Sequence, residues 1–487
     1  MPRLYNEPFR PRIHFSPPRN FMNDPNGLIY YKGVYHLFFQ FNPSGNQWGH
    51  MNWGHAVSKD LLHWKNLPVA IPEENNISIF SGSAIQDTGN SSGLGNDTEE
   101  ILCAIYTGNH NIENWQTQNL AFSLDGGYKW FKYKKNPILD ISARQFRDPK
   151  VFWYGPGEIW IMVVALADEK IVQFYSSKNL LNWKYLSRFG PAGKRDTTYW
   201  ECPDLFELIV DADPSNKRWI LKIDFLDKSN RGESGSQYFI GQFNGTTFLN
   251  ENSSDEVLRV DYGKDFYAAQ TFSNLPDKER RTLWLAWMNN WQYANDTPTD
   301  PWRGNMTIPR ELFLNSTAHG LRLYQRPIFE INSLRRGHLK LEKKVIAPDQ
   351  VPLDKANLPF STYELFTEFE IVTASQFGFR IRESQEFYTK IGFDVHDNRL
   401  FLDRRNSGSP DFHPDFPDIH YAPLELLDQK RLKLHIIVDV SCVEIFANEG
   451  ARVITDLIFP QRESNSISLF SEGGLVKLIS LELNSLQ

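Results

Sequence analysis

The stretch Ala56–Ile71, AVSKDLLHWKNLPVAI, returns twice in altered form, as AFSLDGGYKWFKYKKNPIL from Ala121 and FYSSKNLLNWKYLSRF from Phe174. Each copy runs Ser, then Asp or Asn, then Trp, then a polar exit. A weaker fourth copy, IGQFNGTTFLNEN from Ile240, puts Phe248 in the place of Trp. The copies lie roughly 60 residues apart, about the length of a four-stranded unit with generous loops. Short apolar or alternating runs surround them: LIYYKGVYHLFFQF, ILCAIYTG, IWIMVVAL, RWILKIDFL and TLWLAWMNNW. Gly, Pro and Asn punctuate these runs at strand spacing, and few stretches hold a 3.6-residue period. The expected class is all-β. A fifth unit fits between Gly263 and Arg310, so the reading is a five-bladed β-propeller followed by a β-sandwich.

Beyond Pro327 the texture changes. LRRGHLKLEKKVIAPDQVPLDKANLP is basic and polar, and its Lys340–Lys344 run reads as a solvated face. Alternating strands with tight turns then follow, among them YELFTEFEIV, KIGFDVHDNRLFLDR and LKLHIIVDVSCVEIFAN. The division expected is a propeller over 1–335, a linker over 336–345 and a sandwich over 346–487. A chain of 487 residues is too long for one ordinary core, which fits two domains.

Composition narrows the function. Aromatic residues make up 14%, a surplus that suits a β-rich fold and also a sugar binder, because sugar faces stack on rings. A net charge of -7 argues against nucleic acid or an anionic membrane as partner. No apolar run is long enough to span a bilayer. The N-terminus, MPRLYNEPFRPRIHF, has no apolar signal core, yet sequons at Asn76, Asn90, Asn96, Asn244, Asn252, Asn295, Asn305 and Asn315 point to a secreted glycoprotein whose signal is absent from this chain. Cys103, Cys202 and Cys442 form no disulfide framework and lack metal-ligand spacing. GPAGK at Gly190 is too short for a phosphate loop, and GESG at Gly232 misses the nucleophile elbow. No metal and no cofactor are expected.

Propellers bind ligands at the axis, where each innermost strand begins. Asp24 stands there in RNFMNDPNGLIYY (Arg19–Tyr31), Asp148 in QFRDPKVFWYGPGEIWIMVV, and Glu201 in YWECPDLFELIV. The second unit, IFSGSAI, offers Ser81 or Ser83, and the fifth begins DFYAAQTF. Each acid is followed closely by a proline (Pro25, Pro149, Pro203), which pins the backbone and removes an amide donor. Three carboxylates at one axis repel, so their proton affinities separate. Glycoside hydrolysis needs one acid protonated and one ionised. Glu201, beside Tyr199 and Trp200, is the expected proton donor, and Asp24 the expected anion. Arg147 beside Asp148 would hold that acid charged, although strand neighbours ordinarily face opposite ways.

With NDPNG, RDP and EC in this order, the chain resembles glycoside hydrolase family 32, the invertase, inulinase and fructanase group. FSGS at Phe80, FFQFNP at Phe38 and WGHMNWGHAVS at Trp48 are also similar to it, and FLDRRNSG and VDVSCVEIFANEGARVITDLIFP resemble its C-terminal sandwich. The likeness covers nearly the whole chain. It implies a retaining β-fructofuranosidase acting on terminal fructosyl bonds of sucrose and fructans. Asp24 would be the nucleophile, Glu201 the acid/base and Asp148 the transition-state stabiliser, with the reacting carboxyls about 5–5.5 Å apart. Motif match adds Asn23, Gln40, Trp48, Phe80, Ser81, Arg147 and Trp302 as the fructose subsite.

Plainer readings stand beside these. Asn23 and Gln40 also suit turn capping, and Trp48 and Trp302 suit packing between blades, as Trp64, Trp130 and Trp183 do. Cys202 reads as a small buried residue and His14 as structural. Many family members carry Trp where this chain has Phe21, and such changes accompany fructosyl transfer to sugars, so some transfer is expected. A related arabinan- or xylan-type propeller glycosidase and a non-catalytic sugar-binding propeller remain open, and exposed sandwich edges admit a homodimer.

Overall fold

The computed structural model of the chain describes residues 5–95, 100–230, 232–276, 281–341, 343–348, 356–357, 361–408 and 411–487. The sequon at Asn96 and parts of the expected linker and sandwich start lie outside the described residues. Five strands, Asn20–Tyr31, Ile77–Asp87, Phe146–Tyr154, Tyr199–Val210 and Tyr267–Thr271, lie side by side, and the last contacts the first, closing a ring. Antiparallel strands stack outward behind each. The first three stacks are sheets with Asn20–Tyr31, Ile77–Asp87 and Phe146–Tyr154 innermost. The fourth and fifth runs belong to one nine-stranded sheet, joined by a single parallel pair, Val210 with Leu314. Ile159–Leu166, IWIMVVAL, is almost wholly buried, which is why it reads as an unbroken apolar run.

The repeated Ser-Asp-Trp pattern builds one turn three times. Trp64, Trp130 and Trp183 each donate Nε1–H to the carbonyl three residues back, at 2.8–2.9 Å. Asp60 Oδ1, Asp125 Oδ1 and Asn179 Oδ1 each accept a Ser hydroxyl and two backbone N–H groups from the turn. The pattern closes the turn between the two outermost strands of a sheet, satisfying donors that the ladder leaves open. Asn244 repeats it in the fourth copy, accepting from Thr246 and Thr247 before Phe248.

The C-terminal part is a β-sandwich. One sheet runs from Arg335–Leu341 through Val476–Leu486, Tyr363–Ile371, Arg431–Val438 and Cys442–Ala447 to Arg452–Leu457. The other centres on Gln376–Glu383, Thr389–Asp394 and Ser466–Glu472. Phe369, Phe377, Phe379, Ile391, Ile436 and Leu469 meet in the core between them. Most of the stretch expected as a linker is strand: Arg335–Leu341 and Lys344–Ile346 both pair antiparallel with Val476–Leu486. Its basic residues are exposed because this is a sheet edge, where charge discourages further pairing.

Buried ion networks bind the sandwich to the ring. Arg310 reaches Glu444 and Asp261, and Arg404 reaches Asp265 and Tyr293. His14 donates Nδ1–H to Asp439 at 2.8 Å and Nε2–H to Glu444 at 3.0 Å. Burial opposes its charge, but the Cys442 sulfur, Asp439 and Glu444 outweigh it and hold the imidazole well above its ordinary value. A nitrogen, an oxygen and a sulfur of His14, Asp439 and Cys442 lie within 4.8 Å of one another, and both ring nitrogens are taken by carboxylates.

Candidate active site

At the head of every ring strand the ladder slips. Register breaks fall between Met22 and Pro25, Ile79 and Gly82, Arg147 and Lys150, Glu201 and Asp204, and Tyr267 and Gln270. These five bulges carry Asp24, Ser81, Asp148, Cys202 and Ala268. Proline explains three of them, because Pro25, Pro149 and Pro203 have no N–H to give. Asp148 and Cys202 take left-handed φ of 66° and 48°, which re-aims their side chains. The bulge also overrides strand alternation: Arg147 and Asp148, adjacent in sequence, both line the same cavity.

That cavity measures about 410 Å³. Asn23, Asp24, Gln40, Trp48, Phe80, Ser81, Arg147, Asp148 and Glu201 all line it. Trp302 does not. Residues Trp302–Arg303 pair in parallel with Asn20–Phe21, and the Trp302 ring lies buried under the Arg10 guanidinium at 4.4 Å. It extends the first sheet on the edge of Asn20–Tyr31 opposite Val34–Asn42. Tyr199, named from the sequence as a neighbour of Glu201, also lines the cavity, and Tyr267, Gln116, Gln145, Lys228 and Trp291 join the lining without having been picked out from the sequence. Only Tyr267 carried a signal, as part of DFYAAQTF at the head of the fifth unit. A larger cavity of about 630 Å³, lined by Phe152, Trp153 and Trp219, holds none of the three acids, so size does not select the site.

The acids are tied together by two residues. The Cys202 N–H donates to Asp148 Oδ2 at 2.9 Å, and its thiol lies 3.4 Å from Asp24 Oδ2 and 3.6 Å from Asp148 Oδ2. Burial and the charges of Asp148 and Asp24 push that thiol far up, so it stays protonated and donates. Arg147 gives Nε–H and Nη2–H to Glu201 Oε1 at 2.9 and 2.8 Å, while Tyr267 O–H donates to Oε2 at 2.5 Å. Arg147 therefore faces Glu201 and stands 4.0 Å from Asp148, not in close pairing with its sequence neighbour as expected. Burial then dominates: it raises the Asp148 carboxyl to about 7 against the pull of Arg147, with Glu201 and Asp24 adding to the rise. Asp24 also lies above its ordinary value, lifted by burial and by Glu201 against hydrogen bonds from Ser81 (2.6 Å) and Asn23 (2.9 Å). Trp48, nearly half exposed, stands at the rim edge-on to Phe80 and Trp291.

An all-β frame with three coupled carboxylates in one saccharide-sized cavity under an aromatic rim defines the class: a glycoside hydrolase. The sequence model of the glycosyl hydrolases family 32 N-terminal domain matches residues 14–327, and that of the family 32 C-terminal domain matches 330–485. The chain belongs to glycosyl hydrolases family 32. It is similar to the levanase of Bacillus subtilis (strain 168), 45% identical over 99% of this chain and 71% of that protein. An extracellular exo-inulinase of Aspergillus niger is 36% identical over 99% of this chain and 95% of the relative. The crystal structure of exo-inulinase from Aspergillus awamori superposes with a TM-score of 0.92 at 33% identity, covering 99% of both chains.

Proposed function

We propose that this chain is a secreted, retaining β-fructofuranosidase that removes terminal fructosyl units from sucrose and fructans. The supporting observation is the meeting of Asp24, Asp148 and Glu201, each from a different ring strand, in one cavity. Asp24 attacks the anomeric carbon of the fructosyl unit. Glu201 passes a proton to the departing oxygen, then takes one from water as that water releases fructose from Asp24. Asp148 binds fructosyl hydroxyls and stabilises the positive charge that develops on the ring. Asn23 Oδ1, buried with no protein partner, accepts from a fructosyl hydroxyl. Relatives named levanase and extracellular exo-inulinase support both the substrate class and secretion. In the proposed enzyme the five ring strands are the inner strands of five blades.

Incubation with sucrose, inulin, levan and arabinan tests this reading. Fructose is expected from the first three and nothing from the fourth. Asp24→Ala and Glu201→Ala are each expected to lose at least about 10³-fold in kcat, and near-full activity in either would contradict the roles. Transfer is the finer part of the proposal. Phe21 is fully buried beside Cys202, Tyr267 and Trp287, so the change from Trp acts on the apolar floor beneath the acids. Concentrated sucrose is expected to yield a trisaccharide, and equimolar glucose and fructose alone would contradict transfer.

A further inference from the structure

Behind the three acids lies an ion pair that the mechanism above does not use. Lys222 and Asp224, on strand Asp213–Asp227, are fully buried, with Lys222 Nζ 2.6 Å from Asp224 Oδ2. Asp224 is the register partner of Glu201, and the Cys202–Pro203 bulge sits immediately beyond that pair. Lys222 Nζ also donates to the Cys202 carbonyl at 2.9 Å, and Gln270 Nε2 to the same oxygen at 3.2 Å. Ser236 Oγ donates to Asp224 Oδ1 from the next strand. One residue thus has two working sides: the Cys202 carbonyl is gripped by Lys222, while the Cys202 N–H and thiol bind Asp148 and Asp24.

We propose that Lys222 and Asp224 are a positioning pair for the reaction: Asp224 seats Lys222, and Lys222 fixes the Cys202 peptide and sets a buried positive charge behind Asp24 and Asp148. A fully buried lysine is seldom found without a paired role, since removing its charge from water is costly. A plain structural brace would need only a neutral donor to the Cys202 carbonyl, and Gln270 already supplies one. Among the described residues, charged groups face the pair from both ends of the ring. Asp24, Asp148, Glu201 and Tyr267 lie toward the cavity, with Arg147 beyond Glu201. Lys150, paired with Asp204 at 3.2 Å, lies toward the far end of the ring.

The inference rests on the proposed roles of Asp24, Asp148 and Glu201, and its test separates the two. Asp224→Asn keeps the shape and an acceptor for Ser236 but leaves the Lys222 charge unneutralised. Asp224→Asn with Lys222→Gln keeps a donor to Cys202 and removes the charge. Between these variants the Lys222 charge is the difference read. The acid limb of kcat/KM on sucrose is expected at least about 0.5 pH unit lower in the single variant than in the double, because a cation favours ionised Asp24 and Asp148. Coincident acid limbs in two folded variants, judged by circular dichroism, would overturn the charge role. If either variant fails to fold, Lys222→Arg serves: it keeps the charge and moves the donor. A kcat at least about tenfold lower with KM within about threefold is then expected, and wild-type kcat would overturn the positioning role. Full activity in Asp24→Ala or Glu201→Ala would instead remove the reading beneath it.

Discussion

Ser81 governs how the proposed nucleophile titrates. Its hydroxyl donates to Asp24 Oδ2, a bond that favours the anion, while burial favours the neutral acid. Ser81→Ala removes the opposing bond, so the Asp24 value rises further. The acid limb of kcat/KM is expected to move to higher pH, with activity at mildly acidic pH down about tenfold. An unmoved limb, measured on sucrose, would contradict this. Asp148 shows the cost of the site to the fold. Its folded value, about 7, lies above the unfolded one, so the ionised form destabilises the native state as pH rises through that value. Asp148→Asn is therefore expected to raise Tm by at least about 2 °C at slightly alkaline pH, and by less in mild acid, while activity collapses. A lowered Tm in both would count against it. The acids were legible in the sequence because each announces itself with a proline at a strand head. Gln116 and Gln145 were not: Gln116 is the second residue of strand Trp115–Ser123 and Gln145 stands just ahead of Phe146–Tyr154, with no motif to mark either, and both line the cavity as acceptors for the Arg147 guanidinium.

The element that makes the site is the bulge, repeated at five strand heads. Alternation along a strand would send Arg147 and Asp148 to opposite faces, and only the slip at Pro149 brings both inward. Sequence periodicity sees strands but not slips, so the strand pattern alone left Arg147 open, and only the motif match put it in the expected subsite. The Ser-Asp-Trp turn is the opposite case. Its residues act within one turn, so the repeat was visible in the sequence and marks the outer turns directly. Asp60→Ala strips the acceptor for the Leu62 and His63 amides. The expected loss is about 1 kcal/mol of stability with kcat/KM on sucrose within about twofold, because the turn lies at the outer edge of its sheet, away from the ring. A loss of activity greater than the loss of folded protein would show that the outer turns reach the cavity.

Across the whole molecule the two parts are held by charges that sequence reading could not join. His14 and Asp439 are 425 residues apart, so no local pattern links them, and the expected linker gave no sign of the contact. Because His14 binds its proton more tightly folded than unfolded, its contribution is complete below the unfolded value and is lost as pH rises through the folded one. His14→Gln is expected to lower stability by about 3 kcal/mol in mild acid, and the gap to the native chain is expected to narrow as the solution is made alkaline. A gap that stayed constant with pH, measured by denaturant unfolding, would contradict a charged His14. The account as a whole turns on a covalent step at Asp24. Mass spectrometry of the Glu201→Ala variant, quenched in acid after incubation with an activated fructoside and digested to peptides, tests it most directly. A hexosyl adduct on the peptide carrying Asp24 is the expected result, and an adduct confined to another residue, or free fructose released first as the inverted anomer, would contradict it.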